Sequence, residues 1–234
     1  MGEYAQFEVS SAAEILAWAM ATFGDAFAIA TSFQKEGMAI VDIASRLGSP
    51  VRVFTLDTGR LPEETYRMME TVRERYGIAV EAVFPDSGEL ERMVAERGPN
   101  LFYDSLESRR LCCEVRKVRP FERKLRELRA WAAGLRREQS ETRSEVDKVE
   151  RLDGRVRICP LADWTSGQVD RYIADNGVPV HPLYERGYAS IGCAPCTRPV
   201  GPGEDERAGR WWWEQDARKE CGIHFTAEGL VRRG

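Results

Sequence analysis

The amino-acid sequence predicts an α/β protein with a mostly parallel, twisted sheet flanked by helices. Three short apolar runs, at 27–31, 51–56 and 79–84, alternate with longer stretches suited to helices. Unbroken apolar runs are typical of strands buried on both faces, and strand–helix alternation is typical of a parallel sheet. With 234 residues, the chain is long enough for one substantial core.

Capping residues delimit the predicted helices. Ser10 or Ser11 is suited to cap the first helix, Ser87 to cap a later one, and Pro62 suits a first helical turn. Two further strands are predicted at 130–133 and 156–159, and Cys159 is expected in the core. The helices are predicted at about 11–23, 38–47, 62–76, 87–97, 120–128 and 164–176, with a helical segment around 112–113.

Two polar loops follow the first two predicted strands and are candidate nucleotide-binding turns. Ser32 opens the first loop, between a strand and a helix N-terminus, where a phosphate is readily held. Asp57, Thr58 and Gly59 form the second loop, at the edge where open α/β sheets bind ligands. An ordinary turn is the alternative for each loop.

A third polar loop carries Arg136, and basic residues are dense from 109 to 143. Planar arginine side chains suit phosphate or sulfate, so this region is a candidate cradle for a small anion. Solvated helix faces are the alternative explanation for many of these residues. The formal charge of −4 is mild and gives no reason to expect nucleic acid or a membrane as partner.

Two pairs of cysteines are separated by about a third of the chain: Cys112–Cys113, and the C-x-x-C pair Cys193 and Cys196. Four thiolates suit a [4Fe–4S] cluster or a tetrahedral zinc ion, and a C-x-x-C pair can also be a redox dithiol. Adjacent side chains on a helix diverge by about 100°. Divergence suits a cubane, which has one iron per thiolate, so the cluster is favoured over zinc, and zinc over the dithiol.

A further cysteine, Cys221, lies near the C-terminus with Lys219 and His224 close by in sequence. Cationic neighbours lower the pKa of a thiol, so a reactive cysteine and an unremarkable surface cysteine are both open at this point. The glycine- and proline-rich stretch after position 198 indicates a flexible linker. The predicted organisation is an α/β domain over 1–198 and a mobile tail over 199–234, which tryptophans 211–213 anchor to the body.

No export pattern or membrane-spanning apolar run is visible in the sequence. A cytoplasmic protein is therefore expected. In that compartment six cysteines favour metal binding or catalysis over disulfides.

With these motifs placed, the chain resembles the assimilatory adenylyl-sulfate (APS) reductases, relatives of the phosphoadenylyl-sulfate (PAPS) reductases, from about residue 27 to 224. The resemblance implies an adenine-nucleotide α-hydrolase-like fold. ATP pyrophosphatases of the wider superfamily carry a Ser-Gly-Gly loop, which 31–36 replaces here, so their chemistry is not expected. The motifs that carry the resemblance are 56–61, 112–113 with 116–117, 134–140, 192–197, 210–214 and 220–224.

Carried over by position, the resemblance implies a role for each candidate residue. The four paired cysteines look like cluster ligands, and Cys221 looks like the nucleophile. The groups that resemble phosphosulfate ligands are Lys117, Arg136, Arg207, Arg210 and His224. The residues that resemble nucleotide-facing turns are Ser32, Asp57, Thr58 and Gly59.

The implied activity is thioredoxin-dependent reduction of APS to sulfite and AMP through an enzyme S-sulfocysteine, in sulfate assimilation and cysteine biosynthesis. The chain ends soon after Cys221, so a separate thioredoxin is expected as electron donor. The alternatives are a PAPS or dual-substrate reductase, an iron–sulfur tRNA-thiolating enzyme of the same superfamily, and a non-catalytic iron–sulfur redox sensor. The oligomeric state is open, and a homo-oligomer is among the states allowed.

Overall fold

A computed structural model describes residues 3–140, 143–214, 225–226 and 229–230. A six-stranded sheet runs through the middle of this part of the chain, in the order β3-β2-β1-β4-β6-β5. Its neighbouring strands are parallel except for β5, which pairs antiparallel with β6 at one edge. The strands are β1 (Phe27–Ala30), β2 (Arg52–Leu56), β3 (Val80–Val83), β4 (Ala130–Ala133), β5 (Val149–Leu152) and β6 (Arg155–Ile158). Two two-residue strands, β7 (Phe225–Thr226) and β8 (Gly229–Leu230), pair separately.

Seven α-helices connect and flank the strands in the described part of the chain. Ser11 caps the first through a reciprocal capping box with Glu14, as predicted, and Thr165 caps the last with Gln168 in the same way. The helices are α1 (Ala12–Phe23), α2 (Lys35–Ser45), α3 (Glu63–Tyr76), α4 (Ser87–Arg97), α5 (Leu106–Cys113), α6 (Arg119–Leu125) and α7 (Ser166–Asn176). None of the described helices is both long enough and apolar enough to cross a membrane.

The two faces of the sheet bury different apolar clusters. Along β1, Phe27 and Ile29 face a cluster that includes residues of α1, α2, α3 and α7. Ala28 faces the opposite side, where it packs with Phe121 of α6 and with Trp131 of β4. Burial on both faces explains why β1 is a continuous apolar run, and it confirms the predicted α/β class with a mostly parallel sheet.

Three details of the predicted elements were wrong. Helix α2 begins at Lys35, before the predicted position 38. Helix α4 is capped by Asp86 instead of Ser87, because the Asp86 carboxylate accepts a hydrogen bond from the Glu89 amide at 2.9 Å. Strand β5 was missed: it is an edge strand whose two middle residues, Glu150 and Arg151, are charged, so it lacks an apolar run.

The described part of the predicted tail, up to residue 214, packs on the body. A β-bridge joins Thr197 to Arg210, and the Arg198 amide donates to the Gly209 carbonyl at 3.0 Å. Trp211 is 2% exposed, which confirms the predicted tryptophan anchor for this residue, whereas Trp212 is 49% exposed.

Candidate active site

A cavity of about 600 Å³ lies at the carboxyl ends of β1, β2 and β4 and at the N-terminus of α2. This volume lies within the usual range for small-molecule sites, and the location is the one at which open α/β sheets bind ligands. The predicted substrate residues that line it are Ser32, Thr58, Lys117, Arg136, Arg207 and Arg210. Cys113, Cys193 and Cys196 line the same cavity.

Of the three predicted residues in the loop after β2, only Thr58 reaches the cavity. Thr58 lines the cavity, whereas Asp57 and Gly59 are not among its lining residues. The Asp57 carboxylate accepts hydrogen bonds from the Gly59 amide at 2.8 Å and from the Tyr66 hydroxyl at 3.1 Å. Gly59 adopts φ 69°, the left-handed region that favours glycine. In this structure Asp57 and Gly59 shape the loop that presents Thr58.

Arg136 lines the cavity but is already bound to protein groups. Its Nε donates to Glu36 Oε1 at 2.8 Å, its Nη2 to Ser166 Oγ at 2.9 Å, and its Nη1 to the Trp164 carbonyl at 3.2 Å. The Glu36 carboxylate, which also accepts from Gln139 Nε2 at 3.0 Å, therefore shares this wall of the cavity. Glu36 was not predicted as a site residue, because nothing in the sequence of this turn indicates which arginine its carboxylate contacts.

Arg207 and Arg210 line the cavity from the segment after residue 198, which packs against the rest of the domain. The guanidinium of Arg210 lies 4.6 Å from the centre of the Trp211 ring and donates to Ser190 Oγ at 3.4 Å. Trp211 adopts φ 41°, so the chain turns sharply at this position. Arg210 and Trp211 both line the larger cavity, and Trp211 also packs in an apolar cluster with Cys112 and Cys196.

All four paired cysteines line a second, smaller cavity beside the first. Cys112 and Cys113 lie at the end of α5, where the helix widens into a π-helical turn, Glu114–Val118, a feature often found at functional sites. Cys193 and Cys196 flank a 3-10 turn, and Cys193 Sγ lies 3.2 Å from the Thr58 hydroxyl. Sequence pairs about 80 residues apart are thus brought together by the fold.

The charge around these sulfurs is strongly one-sided. The charged side chains that line the cysteine cavity are Arg60, Arg109, Arg116 and Lys117, with no carboxylate among the described lining residues. Burial raises the pKa of Cys196, and neighbouring Cys193 raises it further. Burial also raises the pKa of Cys112, while Arg116 opposes that shift. Such thiols become thiolates together only when positive charge or a metal compensates them.

One buried polar atom beside the cysteines suits a negatively charged occupant of their cavity. The Nε of Arg116 is buried and has no hydrogen-bond partner among the described residues, which suits an acceptor placed among the sulfurs. Within the described part of the chain, no three cysteine, histidine, aspartate or glutamate side chains converge as ligands of one metal ion. All five cysteines that the structure describes are free of disulfides.

Residues 26–199 match the family model of the phosphoadenosine phosphosulfate reductase domain. The chain belongs to this family. An adenosine 5'-phosphosulfate reductase of Burkholderia cepacia is 48% identical over 86% of this chain and 82% of its own length. One of Pseudomonas aeruginosa is 47% identical over 90% of this chain and 81% of its own length. The family expectation, and with it the expectation of an enzyme acting on sulfur, is confirmed.

A plant relative differs in length. The chloroplastic 5'-adenylylsulfate reductase 3 of Arabidopsis thaliana is 45% identical over 94% of this chain, which covers 50% of that protein. Because the plant relative is named chloroplastic, the comparisons leave the cytoplasmic location of this reductase-family chain as a prediction.

Solved structures support the fold of the family member. A PAPS reductase of Candida auris, in a phosphate complex, matches with a TM-score of 0.69 at 28% identity, over 82% of this chain and 91% of that one. An FMN adenylyltransferase of Candida glabrata with ATP has a TM-score of 0.56 at 14% identity, over 86% and 67%. The second likeness shows the fold alone, and together they confirm the adenine-nucleotide α-hydrolase-like architecture.

Several predicted site features of the family member stay predictions. Cys221 and His224 lie outside the described residues, so their positions carry no structural account. The division into 1–198 and a mobile tail over 199–234 also stays a prediction.

Cys159 is fully buried beside Val146 and Ala162, and burial raises its pKa to about 12, which confirms it as a core residue.

Proposed function

We propose that this protein reduces APS to sulfite and AMP, with thioredoxin as electron donor, in the assimilation of sulfate for cysteine synthesis. The observation that carries the proposal is the shared wall of the two cavities. Lys117, Cys113, Cys193 and Cys196 line both the nucleotide-sized cavity and the cysteine cavity. Relatives named adenosine 5'-phosphosulfate reductase, 46–48% identical over most of this chain, support it.

The proposed substrate matches the larger cavity in size and charge. Lys117, Arg207 and Arg210 supply positive charge for the phosphosulfate, while Ser32 and Thr58 lie at strand ends, where a nucleotide is held. His224 is assigned a phosphosulfate contact on the resemblance alone. Arg136 contributes through its pair with Glu36, whose negative charge it compensates in the cavity wall.

The proposed reaction begins with the thiolate of Cys221. It attacks the sulfonate sulfur of APS, an S–S bond forms, the S–O bond breaks, and AMP leaves with the electron pair. The lysine and arginines stabilise charge on the leaving phosphate. A thioredoxin thiolate then attacks Cys221 Sγ and releases sulfite, and the second thioredoxin thiol resolves the mixed disulfide. The dithiol is oxidised, and the sulfur is reduced by two electrons.

We assign Cys112, Cys113, Cys193 and Cys196 as ligands of a [4Fe–4S] cluster. Such a group would supply fixed charge and rigidity beside the substrate, since thiols provide both electrons. Arg116 braces this region by donating from Nη1 to the Thr58 carbonyl at 2.7 Å. Lys117, on the next position of the π-helical turn, faces both cavities and is placed to bring positive charge to the substrate.

The proposed partners are APS and thioredoxin, without nucleic acid or membrane, in the cytoplasm. A second candidate substrate is PAPS, which the similarity to a PAPS reductase structure favours. A non-catalytic cluster protein is the candidate of another class, but it has no need of a nucleotide-sized cavity.

The deciding experiment compares sulfite release from APS and PAPS with thioredoxin supplied. We expect release from APS, and accumulation of protein carrying one added SO3 group on Cys221 when thioredoxin is omitted. Intact-mass analysis and peptide mapping locate that group, and Cys221→Ser should abolish it while APS still binds. Release from PAPS alone would reassign the substrate. No release from either would favour the redox-sensor function.

A further inference from the structure

Arg109 forms a buried ion pair with Glu214, which follows the cavity-lining residues Arg210 and Trp211 in the chain. Its Nε donates to Glu214 Oε1 at 2.8 Å and its Nη2 donates to Oε2 at 3.1 Å. The side chains are 3% and 9% exposed. Two parallel charged hydrogen bonds of this kind fix orientation as well as distance.

The same guanidinium faces the cysteine cavity. Arg109 lies one helical turn before Cys113 on α5 and lines that cavity together with all four paired cysteines. One buried cation therefore lies between the cysteine cavity and the carboxylate of Glu214.

Trp211 fastens residues 210–214 to the cysteines. Its amide donates to the Cys196 carbonyl at 3.1 Å, and its ring packs in an apolar cluster with Cys112 and Cys196. The Arg109 guanidinium lies 4.6 Å from the centre of the ring, a cation–π distance. The Glu214 amide then donates to the Trp211 carbonyl at 2.9 Å, which closes the turn that presents the carboxylate to Arg109.

We propose that Arg109 is a positioning residue that couples the occupant of the cysteine cavity to the seating of residues 210–214, the base of the segment that carries Cys221. Without this cation, the buried Glu214 carboxylate would face the negative charge of four cysteine ligands directly. With it, the two negative groups are bridged. The proposal rests on the function proposed above for the cluster and for Cys221.

The coupling makes two linked predictions. Loading the cysteine cavity should protect the 210–214 backbone, because the loaded ligands order the Cys196 carbonyl and the face of α5 on which the segment rests. Reciprocally, a poorly seated segment should weaken cluster retention, since coupling between two sites acts in both directions. Arg109→Ala should break both effects, although Arg109 itself does not line the larger cavity.

The test measures hydrogen exchange of the 210–214 peptide in the iron-loaded protein and in the protein after anaerobic iron chelation. We expect iron loading to slow exchange in the native chain. Arg109→Ala should speed exchange in the loaded protein by about tenfold or more, the factor expected for one lost charged hydrogen bond. Arg119→Ala is the matched control, because Arg119 pairs with Glu89 and Glu114 on the surface and does not contact the segment.

A double variant distinguishes the proposed charge coupling from a general loss of packing at Arg109. Arg109→Ala combined with Glu214→Gln removes both charges, so the double variant should exchange more slowly than Arg109→Ala alone. In a single turnover at saturating APS, Arg109→Ala should slow the appearance of SO3 on Cys221, and the Kd for APS should rise because Arg210 belongs to the displaced segment. Arg109→Lys, which keeps the charge but loses the paired geometry, should fall between Arg109→Ala and the native chain.

Equal exchange in native protein and Arg109→Ala would overturn the proposal, as would a double variant that exchanges faster than Arg109→Ala. These outcomes are independent of turnover. If the native protein never labels Cys221, the function proposed above fails, yet the exchange measurements still decide whether Arg109 couples the two elements.

Discussion

The backbone of Gly192 lies directly against the guanidinium of Arg210. A Cβ placed on Gly192 would lie 2.6 Å from Arg210 Cζ, well inside normal contact distance. A long side chain can often move away from such a clash, but Arg210 is 8% exposed, and its guanidinium lies 4.6 Å from the Trp211 ring. Gly192 therefore allows the close approach that brings Arg210 to the wall of the larger cavity.

Gly192→Ala should displace Arg210 and weaken APS binding. Loss of one charged hydrogen-bond partner costs about 1.5–3 kcal/mol, so the Kd should rise roughly tenfold or more. Calorimetric titration checks the affinity, and iron content checks that neighbouring Cys193 still serves as a ligand. Gly201→Ala is the matched control, because its nearest contact would be an ordinary 3.6 Å to the Glu204 side chain. Native affinity in Gly192→Ala would show that Arg210 is not held there for the substrate.

Arg136→Ala should also weaken APS binding, through the carboxylate that it leaves behind. Arg136 is buried and paired with Glu36, so its removal leaves an uncompensated negative charge in the wall of a cavity proposed to bind an anion. We expect affinity to fall by about 1.5–3 kcal/mol and the melting temperature to fall with it. Calorimetric titration and thermal unfolding measure the two effects.

Two companions sharpen the test of Arg136. Arg137→Ala removes a neighbouring arginine that pairs with Glu8 and does not line the cavity, so APS affinity should be native. Glu36→Gln added to Arg136→Ala should recover part of the lost affinity, because the stranded charge is gone. Unchanged affinity in Arg136→Ala would remove this residue from the substrate site.

Local patterns were sufficient to predict most of the fold but not the pairing of its charges. Strand β4 was predicted with the bounds it has, because 130–133 is a buried apolar run. Strand β5 was missed because the charged residues Glu150 and Arg151 separate its two buried apolar residues, Val149 and Leu152. Apolar periodicity reports burial of both strand faces, so it is weakest at a sheet edge.

The same contrast between local signals and distant pairings applies to the residues of the candidate site. Thr58 and the cysteine pairs could be predicted, since strand ends and cysteine spacing are local signals. The pairs Arg136–Glu36 and Arg109–Glu214 join residues 100 and 105 positions apart, and charge alone does not say which partners meet. Arg136 could therefore be predicted as a phosphosulfate ligand, but its pairing with Glu36 could not.

Acid should weaken the sheet through Glu81 on β3. The Arg52 side chain, opposed by burial and assisted by Lys124, lowers the pKa of Glu81 to about 2 from an ordinary 4.5. A lowered folded-state pKa gives stability that is present above the unfolded pKa and lost as the pH falls toward the folded one. Glu81→Gln should therefore be less stable than the native chain at pH 7, and this difference should shrink between about pH 4.5 and pH 2.

Urea unfolding at stepped pH values measures the Glu81 effect. The side chain is about a third exposed, so solvent screening keeps it modest. Glu63→Gln is a fitting control, because Glu63 pairs with Arg67 one helical turn away and both side chains are mostly exposed. A stability difference for Glu81→Gln that stays constant from pH 7 to pH 3 would contradict the assigned ion pairs.

Anaerobically purified protein should contain about four irons and four acid-labile sulfides per chain, as expected for a cubane. Cys113→Ser should lose or destabilise the cluster and lower sulfite release, because Cys113 lines both cavities and precedes the turn that places Lys117. Cys159→Ser is the matched control: this cysteine is fully buried in a separate apolar cluster and should leave the iron content unchanged. Iron and sulfide assays, with the visible absorption spectrum, measure the outcome. One tightly bound zinc without labile sulfide, or equal iron loss in both variants, would refute the assignment of the four paired cysteines as cluster ligands.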